Sequence, residues 1–256
     1  MKKIFHIILL ILFGINIAWS MTKEELIKLL EEKKVVYHQN PVKQWERISI
    51  DNKSFITNDD LKNFGLFTKL ESISINNKRI TNDGLFFLSN IYTFKRVTLS
   101  GSNINDESLR FLEKSTNLEF VNISSENVSG HGLRYIVDKR KIDVLNFGSC
   151  PIVDEGLKNI SGLENLEDLA LYRTKITDVG MKYLVNLKKM KRLQLDETSI
   201  TDKSVPYIIE MMGNRDKYDT YVIIYKTKIS RNGVKELLKA GIKVNCDYKD
   251  LSSEIP

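Results

Sequence analysis

Few side chains in this sequence have the type and spacing that chemistry needs. There are three histidines, His6, His38 and His131, and two cysteines, Cys150 and Cys246. A structural or catalytic metal would need such ligands at short, fixed spacings, which they do not have. Nucleophilic catalysis or phosphate binding would need a nucleophile elbow or a glycine-rich loop ahead of a helix, and neither pattern occurs. The carboxylate pairs Glu31-Glu32 and Asp59-Asp60 fall on expected helix or turn surfaces facing water. His131 is read as a solvated surface residue at a helix start. Lys188, Lys189, Lys191 and Arg192 form a local basic patch, a solvated face able to meet an acidic partner. The reading is of no catalytic residues, no metal and no cofactor, and of a role that is not enzymatic.

The elements that would hold these residues announce themselves by period. Pairs of the form apolar-x-apolar occur at Ile48/Ile50, Ile73/Ile75, Val97/Leu99, Val121/Ile123, Leu145/Phe147, Leu169/Leu171, Leu193/Leu195 and Val222/Ile224. Their second members are separated by 25, 24, 24, 24, 24, 24 and 29 residues. A fixed period in the twenties is the signature of a solenoid. Alternation at two residues places both members of a pair on one face of a short strand.

Five residues after most pairs stands another aliphatic: Ile80, Ile104, Val128, Ile152, Ile176, Ile200 and Ile229, with Ile56 in the longer first unit. A hydroxyl residue usually follows, as in Thr57, Thr81, Ser129, Thr177, Thr201 and Ser230, while Asn105 and Val153 replace it in two units. Such a residue is suited to cap a helix N-terminus, and the aspartate after it in Thr177-Asp178 and Thr201-Asp202 suits the positive end of the helix dipole. An apolar pair three residues apart, such as Leu85/Leu88 or Leu157/Ile160, then gives a helix of about two turns its buried stripe. Each unit reads strand, turn, short helix, return. No unit can bury its own apolar face, so stacking must supply the core.

The segment LENLEDLALYRTKITDVGMKYLVNL resembles a leucine-rich repeat, and the other units match it from about Trp45 to Asp247. The pattern is similar to bacterial-type repeats with a Thr-Asp-x-Gly-Leu helix start. The resemblance implies an α/β leucine-rich-repeat solenoid, a curved parallel sheet with short helices on the convex side, of about eight repeats of 24 residues. It departs from the pattern at the turn position that holds a buried asparagine in many members. Here that position carries Lys78, Ser102, Glu126, Cys150, Thr174, Thr198 and Thr227, so the early turns are expected to lack that hydrogen bonding and to be less regular.

The ends differ from the repeats. Lys2 and Lys3, the apolar run Ile4 to Ile17 and Ala18-Trp19-Ser20 follow the order of a secretory signal peptide, with cleavage after Ser20. The expected organisation is signal peptide 1–20, capping helix and linker 21–44, solenoid 45–247 with a closing strand at Ile242/Val244, and polar tail 248–256. Thr22 and Glu25 match a capping box ahead of an amphipathic helix to about Lys34. The longer step before Ile224 holds MMGNRDKYDT, a turn-rich insertion expected on the surface. Cys150 follows the fifth repeat strand and Cys246 the ninth. Four rungs at about 4.8 Å separate them by roughly 19 Å, too far for a disulfide.

Removing the signal lowers the formal charge from +6 to +4, and the charges of both signs are mixed, which argues against nucleic acid. The expected location is outside the cytoplasm: secreted, periplasmic or cell-surface, with no integral membrane segment once the signal is gone. The expected partner is a protein, and oligomeric state is open. Residues between and beside the pair members would line the concave face. Exposed aromatics and arginines dominate interface energy. They gather with polar neighbours toward the C-terminal half, so Phe120, Asp168, Tyr172, Arg173, Arg192, Gln194, Tyr221 and Tyr225 are the candidate partner-binding residues. Alternative roles are a surface adhesin or structural protein, or a ubiquitin-ligase-adaptor-like effector.

Overall fold

The computed structural model describes residues 21–40, 46–101, 103–213 and 220–248. The signal peptide, Trp45, Ser102, part of the insertion and residues 249–256 of the tail lie outside the described residues.

The chain forms one ten-stranded sheet whose strands follow in sequence order. They are β1 (Val36–Gln39), β2 (Glu46–Ile50), β3 (Leu70–Asn76), β4 (Arg96–Ser100), β5 (Phe120–Ser124), β6 (Val144–Asn146), β7 (Asp168–Ala170), β8 (Arg192–Gln194), β9 (Tyr221–Ile223) and β10 (Lys243–Asn245). From β2 onward all neighbours are parallel, and matching repeat positions pair, as in Leu145 with Leu169 and Leu169 with Leu193. This is an α/β solenoid of leucine-rich-repeat architecture. Every apolar pair that marks the period faces the interior, with no member more than 2% exposed. The aliphatic after each turn and the helical pair are buried as well. A further column, spaced 24 residues apart, closes each coil: Phe67, Ile91, Ser115, Lys139, Leu163 and Leu187.

The returns are shorter helices than the pattern suggests. Most combine a single α-turn with a 3-10 turn, as in Asp178–Met181 followed by Lys182–Leu184. A 24-residue coil leaves little chain for a longer helix, and 3-10 turns suit short pieces. Longer helices occur at Val205–Met212 and Arg231–Lys239, near the C-terminal end. Capping by the expected side chains is seen at Thr177, Thr201, Ser230 and Asn105. Thr81 and Ser129 differ: the Thr81 hydroxyl accepts from Asn58 Nδ2, and the cap position after Ser129 falls on Gly130.

The aspartates at the helix starts do more than meet a dipole. Asp154, Asp178 and Asp202 each accept the backbone N–H of the hydroxyl residue that opens the next coil: Thr177 at 2.8 Å, Thr201 at 2.8 Å and Ser230 at 2.7 Å. Asp106 accepts the N–H of Ser129, Gly130 and Gly132 in the same way, and Asn58 Oδ1 accepts that of Thr81. A polar ladder thus runs along the helix starts, tying each coil to its successor. It skips one rung, where Gly130 replaces the carboxylate and Val153 the hydroxyl residue.

The turns after the strands correct a second expectation. Thr174, Thr198 and Thr227 donate their hydroxyls to carbonyls three residues back, and the Cys150 thiol donates to Ile123 O. The early turns are not without such bonds: the residue one place earlier supplies them. Asn77 Nδ2 donates to Asp51 O and Ser54 O, and Ser125 Oγ donates to Ile104 O. The later turns instead place Ser149, Arg173, Glu197 and Lys226 in left-handed conformations (φ 54–65°), which turns the following residue inward.

At the N-terminal end the helix Lys23–Glu32 starts at the expected Thr22/Glu25 capping box. The stretch after it, expected as linker, carries β1, which pairs antiparallel with β2. Glu46 anchors this cap: fully buried, it accepts from Lys23, Tyr37 and Gln39. Burial and the adjoining Glu46 carboxylate push the Tyr37 phenol up to about 12.

Candidate functional site

The strand pairing lays the candidate residues on the sheet face opposite the buried apolar pairs. One lane, read across the rungs, is Arg96, Phe120, Val144, Asp168, Arg192 and Tyr221. Arg192 is central to it. Its Nε donates to Asp168 Oδ2 at 2.6 Å, and its guanidinium lies 5.9 Å from the Tyr221 ring on the other side. The Asp168 side chain is mostly covered, whereas that of Arg192 is 43% exposed. Gln194 sits between Ala170 and Ile223 in the next lane and is half-buried.

Tyr172 is seated rather than protruding. Its ring lies over Gly148, where an added Cβ would come within 2.1 Å of the ring. Arg173 donates from Nε and Nη2 to Glu197 Oε1 at 3.2 and 3.1 Å, and Lys226 Nζ meets the same oxygen at 3.3 Å. Tyr225 is 42% exposed, and its backbone N–H is fixed by Asp196 Oδ1 at 3.0 Å. Burial raises the Asp196 carboxyl above the usual range, with Glu197 and Asp247 adding to it against the Tyr225 hydrogen bond.

Seven of the eight candidates therefore gather on rungs β7 to β9 or their following turns. Phe120 does not: it lies two rungs from Asp168, and its ring is 4.4 Å from the Arg96 guanidinium. Gly148, Asp196, Glu197 and Arg96 are the residues that the sequence reading did not single out. For Gly148 a signal exists, a residue without a side chain one period before a large aromatic.

The basic patch separates into pairs. Lys188 contacts Glu210, Lys189 donates to Asn165 Oδ1, Lys191 pairs with Glu167 and Arg192 with Asp168. Three of the four cations thus have a carboxylate neighbour, while Lys189 has the neutral Asn165 amide.

One arrangement has the residue types of a nucleophilic site. Ser129 Oγ lies 2.6 Å from Asp106 Oδ2 and 2.7 Å from His131 Nδ1. The order differs from a catalytic triad, in which the imidazole stands between hydroxyl and carboxylate. Here the serine is in the middle and donates to the carboxylate. Burial raises the Asp106 carboxyl, but the Ser129, Gly132 and Gly130 hydrogen bonds outweigh it and hold the group below its ordinary value. A carboxylate so stabilised is a weak base, and the cluster serves as a rung of the polar ladder. Among the described residues, no group of three or more His, Cys, Asp or Glu is placed to hold a metal. Nor is any described helix long and apolar enough to cross a membrane.

No family model matches the sequence, and no curated protein matches it. Among solved structures, internalin C2 from Listeria monocytogenes is similar with a TM-score of 0.47 and 18% identity, covering 76% of this chain and 85% of that one. A second Listeria monocytogenes internalin has a TM-score of 0.35 and 14% identity, with 74% and 70% covered. A plant peptide hormone receptor solved with its peptide has a TM-score of 0.43 and 16% identity, covering 72% of this chain and 30% of the receptor. At such identities and scores, the architecture rests on this chain's own stacked coils.

Proposed function

We propose that the chain is exported and acts as a non-enzymatic protein-binding module, engaging its partner through the C-terminal half of the sheet's open face. The observation that carries this reading is Arg192, held between Asp168 and Tyr221 on three consecutive rungs yet 43% exposed. Arginine and tyrosine are, with tryptophan, the residues enriched at interface hot spots. Side chains already fixed by their neighbours lose less conformational entropy when a partner arrives. Tyr172, Gln194 and Tyr225 widen the same surface.

Export is supported by the order of the first twenty residues, and the corresponding organisation is a mature chain from Met21 with its cap and solenoid. The polar clusters of the described residues satisfy backbone amides and join coils, which fits a scaffold.

The test is a photo-reactive phenylalanine analogue placed at Tyr221 or, on another surface, at Tyr92, which is 49% exposed. The full chain carrying each is expressed in its source cell and irradiated. A discrete adduct from position 221 and none from 92 is expected. Adducts from 92 alone would remove the open face from consideration.

A further inference from the structure

Phe55, in the turn after β2, is 51% exposed. Its ring is flanked by the Lys34 ammonium at 5.0 Å and the Arg79 guanidinium at 5.7 Å. Lys53 and Lys78 are exposed on the turns of the same two coils. Beside them opens a cleft of about 540 Å³ lined by Asn52, Asn77, Lys78 and Arg79.

The framework under these cations is fixed. Phe55 N–H donates to Lys33 O at 2.8 Å, and Ser54 Oγ to Lys34 O at 2.8 Å. Ser54 O accepts from Asn77 Nδ2 at 2.9 Å and from Arg79 Nη1 at 3.0 Å. Asp51, the acid nearest in sequence to Lys53, spends Oδ1 on the N–H groups of Lys53 and Ser54 and on the Ser54 hydroxyl. Lys34, Lys53, Lys78 and Arg79 have no carboxylate partner among the described residues, in contrast to the paired cations at the other end of the solenoid. Four cations against the single carboxylate of Asp51 leave this surface net positive, and an anionic ligand relieves the repulsion among them.

We propose that this patch binds a linear polyanion bearing phosphate or sulfate groups. Lys34, Lys53, Lys78 and Arg79 contact the anionic groups, and the Phe55 ring packs against both Lys34 and Arg79. The site lies at the N-terminal end, away from the face proposed for the protein partner, and does not rest on that reading.

Fluorescein-labelled inorganic polyphosphate and a heparin-derived octasaccharide are titrated into the full chain at 50 to 300 mM salt, conditions chosen to span strong and weak screening at roughly 14 to 6 Å Debye length. Four contacts give a slope of log affinity on log salt of about −3, from about −0.7 per contact. The double variant Lys53→Ala/Lys78→Ala is expected to weaken binding at least about tenfold at low salt and to reduce the slope to about −1.4. Neither ammonium makes a hydrogen bond or ion pair among the described residues, so the urea midpoint should not fall. Phe55→Ala is expected to weaken binding several-fold. Lys188→Ala/Lys189→Ala removes the same formal charge elsewhere and should leave affinity unchanged. The tighter of the two probes identifies phosphate or sulfate as the preferred group. The proposal is overturned by no binding of either probe at low salt, by equal weakening from both double variants, or by polyglutamate of the same charge binding as tightly.

Discussion

Asp178 accepts two hydrogen bonds from Thr201, 23 residues later: one from the backbone N–H at 2.8 Å and one from the hydroxyl at 2.7 Å. It also accepts from Ser204 Oγ, so one carboxylate serves three donors of the next coil. Asp178→Ala leaves those part-buried donors without this acceptor and should cost about 1–3 kcal/mol. Asp178→Asn should cost less, because Asn58 fills the same place toward Thr81 in this chain, accepting the N–H and donating to the hydroxyl. Urea midpoints of the two variants check the order; equal losses would show that geometry, not the acceptor set, is what matters.

The ladder also sets a response to acid. Burial raises the Asp178 carboxyl, but hydrogen bonds from Ser204 and Thr201 outweigh it and lower the group overall, as the corresponding bonds do for Asp106. A carboxyl lowered in the folded state stabilises above its unfolded value, about 3.9, and loses that contribution as pH falls through the folded value. Asp196, raised chiefly by burial, acts with the opposite sign. Stability should therefore fall below about pH 4 in the native chain and fall less steeply in Asp106→Asn. Asp196→Asn, which keeps an acceptor for Tyr225 N–H, should raise the midpoint at neutral pH. Urea titrations between pH 7 and 3 read all three.

The interior carries a cation that a hydrophobe could replace. Lys139 is 4% exposed in the column otherwise filled by Phe67, Ile91, Leu163 and Leu187, with Ser115 beside it. Its ammonium reaches Glu113 O at 2.5 Å and the exposed Asp138 at 3.0 Å. Because Asp138 is exposed, the pair returns little for burying the lysine, and a well-packed apolar residue can match or exceed it. Lys139→Met should be neutral or stabilising by about 1–2 kcal/mol, while Lys139→Ala should cost about 2 kcal/mol through the cavity it leaves. A midpoint lowered equally by both would assign Lys139 a role that its stem cannot explain.

The two cysteines should differ in reactivity. Cys150 is fully buried, accepts from Ser125 N–H and donates to Ile123 O. Burial, partly opposed by the Ser125 hydrogen bond, pushes its thiol up to about 11. Cys246 is only partly covered at the end of β10. Thiolates are the reactive species. One thiol should therefore label rapidly at pH 8 in the folded chain, and peptide mapping should place it at Cys246. The second should label only in denaturant. Rapid labelling of Cys150 would contradict its burial.

The coil was legible because the information that builds it is local and periodic. Leu145, Leu169 and Leu193 announce one column by recurring every 24 residues, and each is buried as that recurrence requires. Strand β1 was not legible: Val36–Gln39 belongs to no repeat and is ordered by antiparallel pairing with β2 and by Glu46. The ladder was present in the sequence yet easy to pass over. Asn58, Asn82, Asp106, Asp154, Asp178 and Asp202 recur in register, and where Gly130 interrupts them the partner position loses its hydroxyl and becomes Val153. Its meaning appears only when consecutive coils are set side by side. At the open face the lanes could be read, but not the pairings within them. The alternation of a strand says that Arg192 and Tyr172 face outward; it does not say that Asp168 clasps the first or that Gly148 seats the second.

Every lane and rung depends on coils stacked in register, and a distance measured across the sheet tests this most directly. Nitroxide labels are placed at Ser74→Cys in β3 and Gln194→Cys in β8, and separately at Ser74→Cys and Asn146→Cys in β6, each with Cys246→Ser. Pulsed electron resonance should give mean separations of about 24 Å for the five-rung pair and about 14 Å for the three-rung pair, broadened by the label arms. Equal separations, or a five-rung distance beyond about 40 Å, would contradict a stack with one strand every 4.8 Å or so.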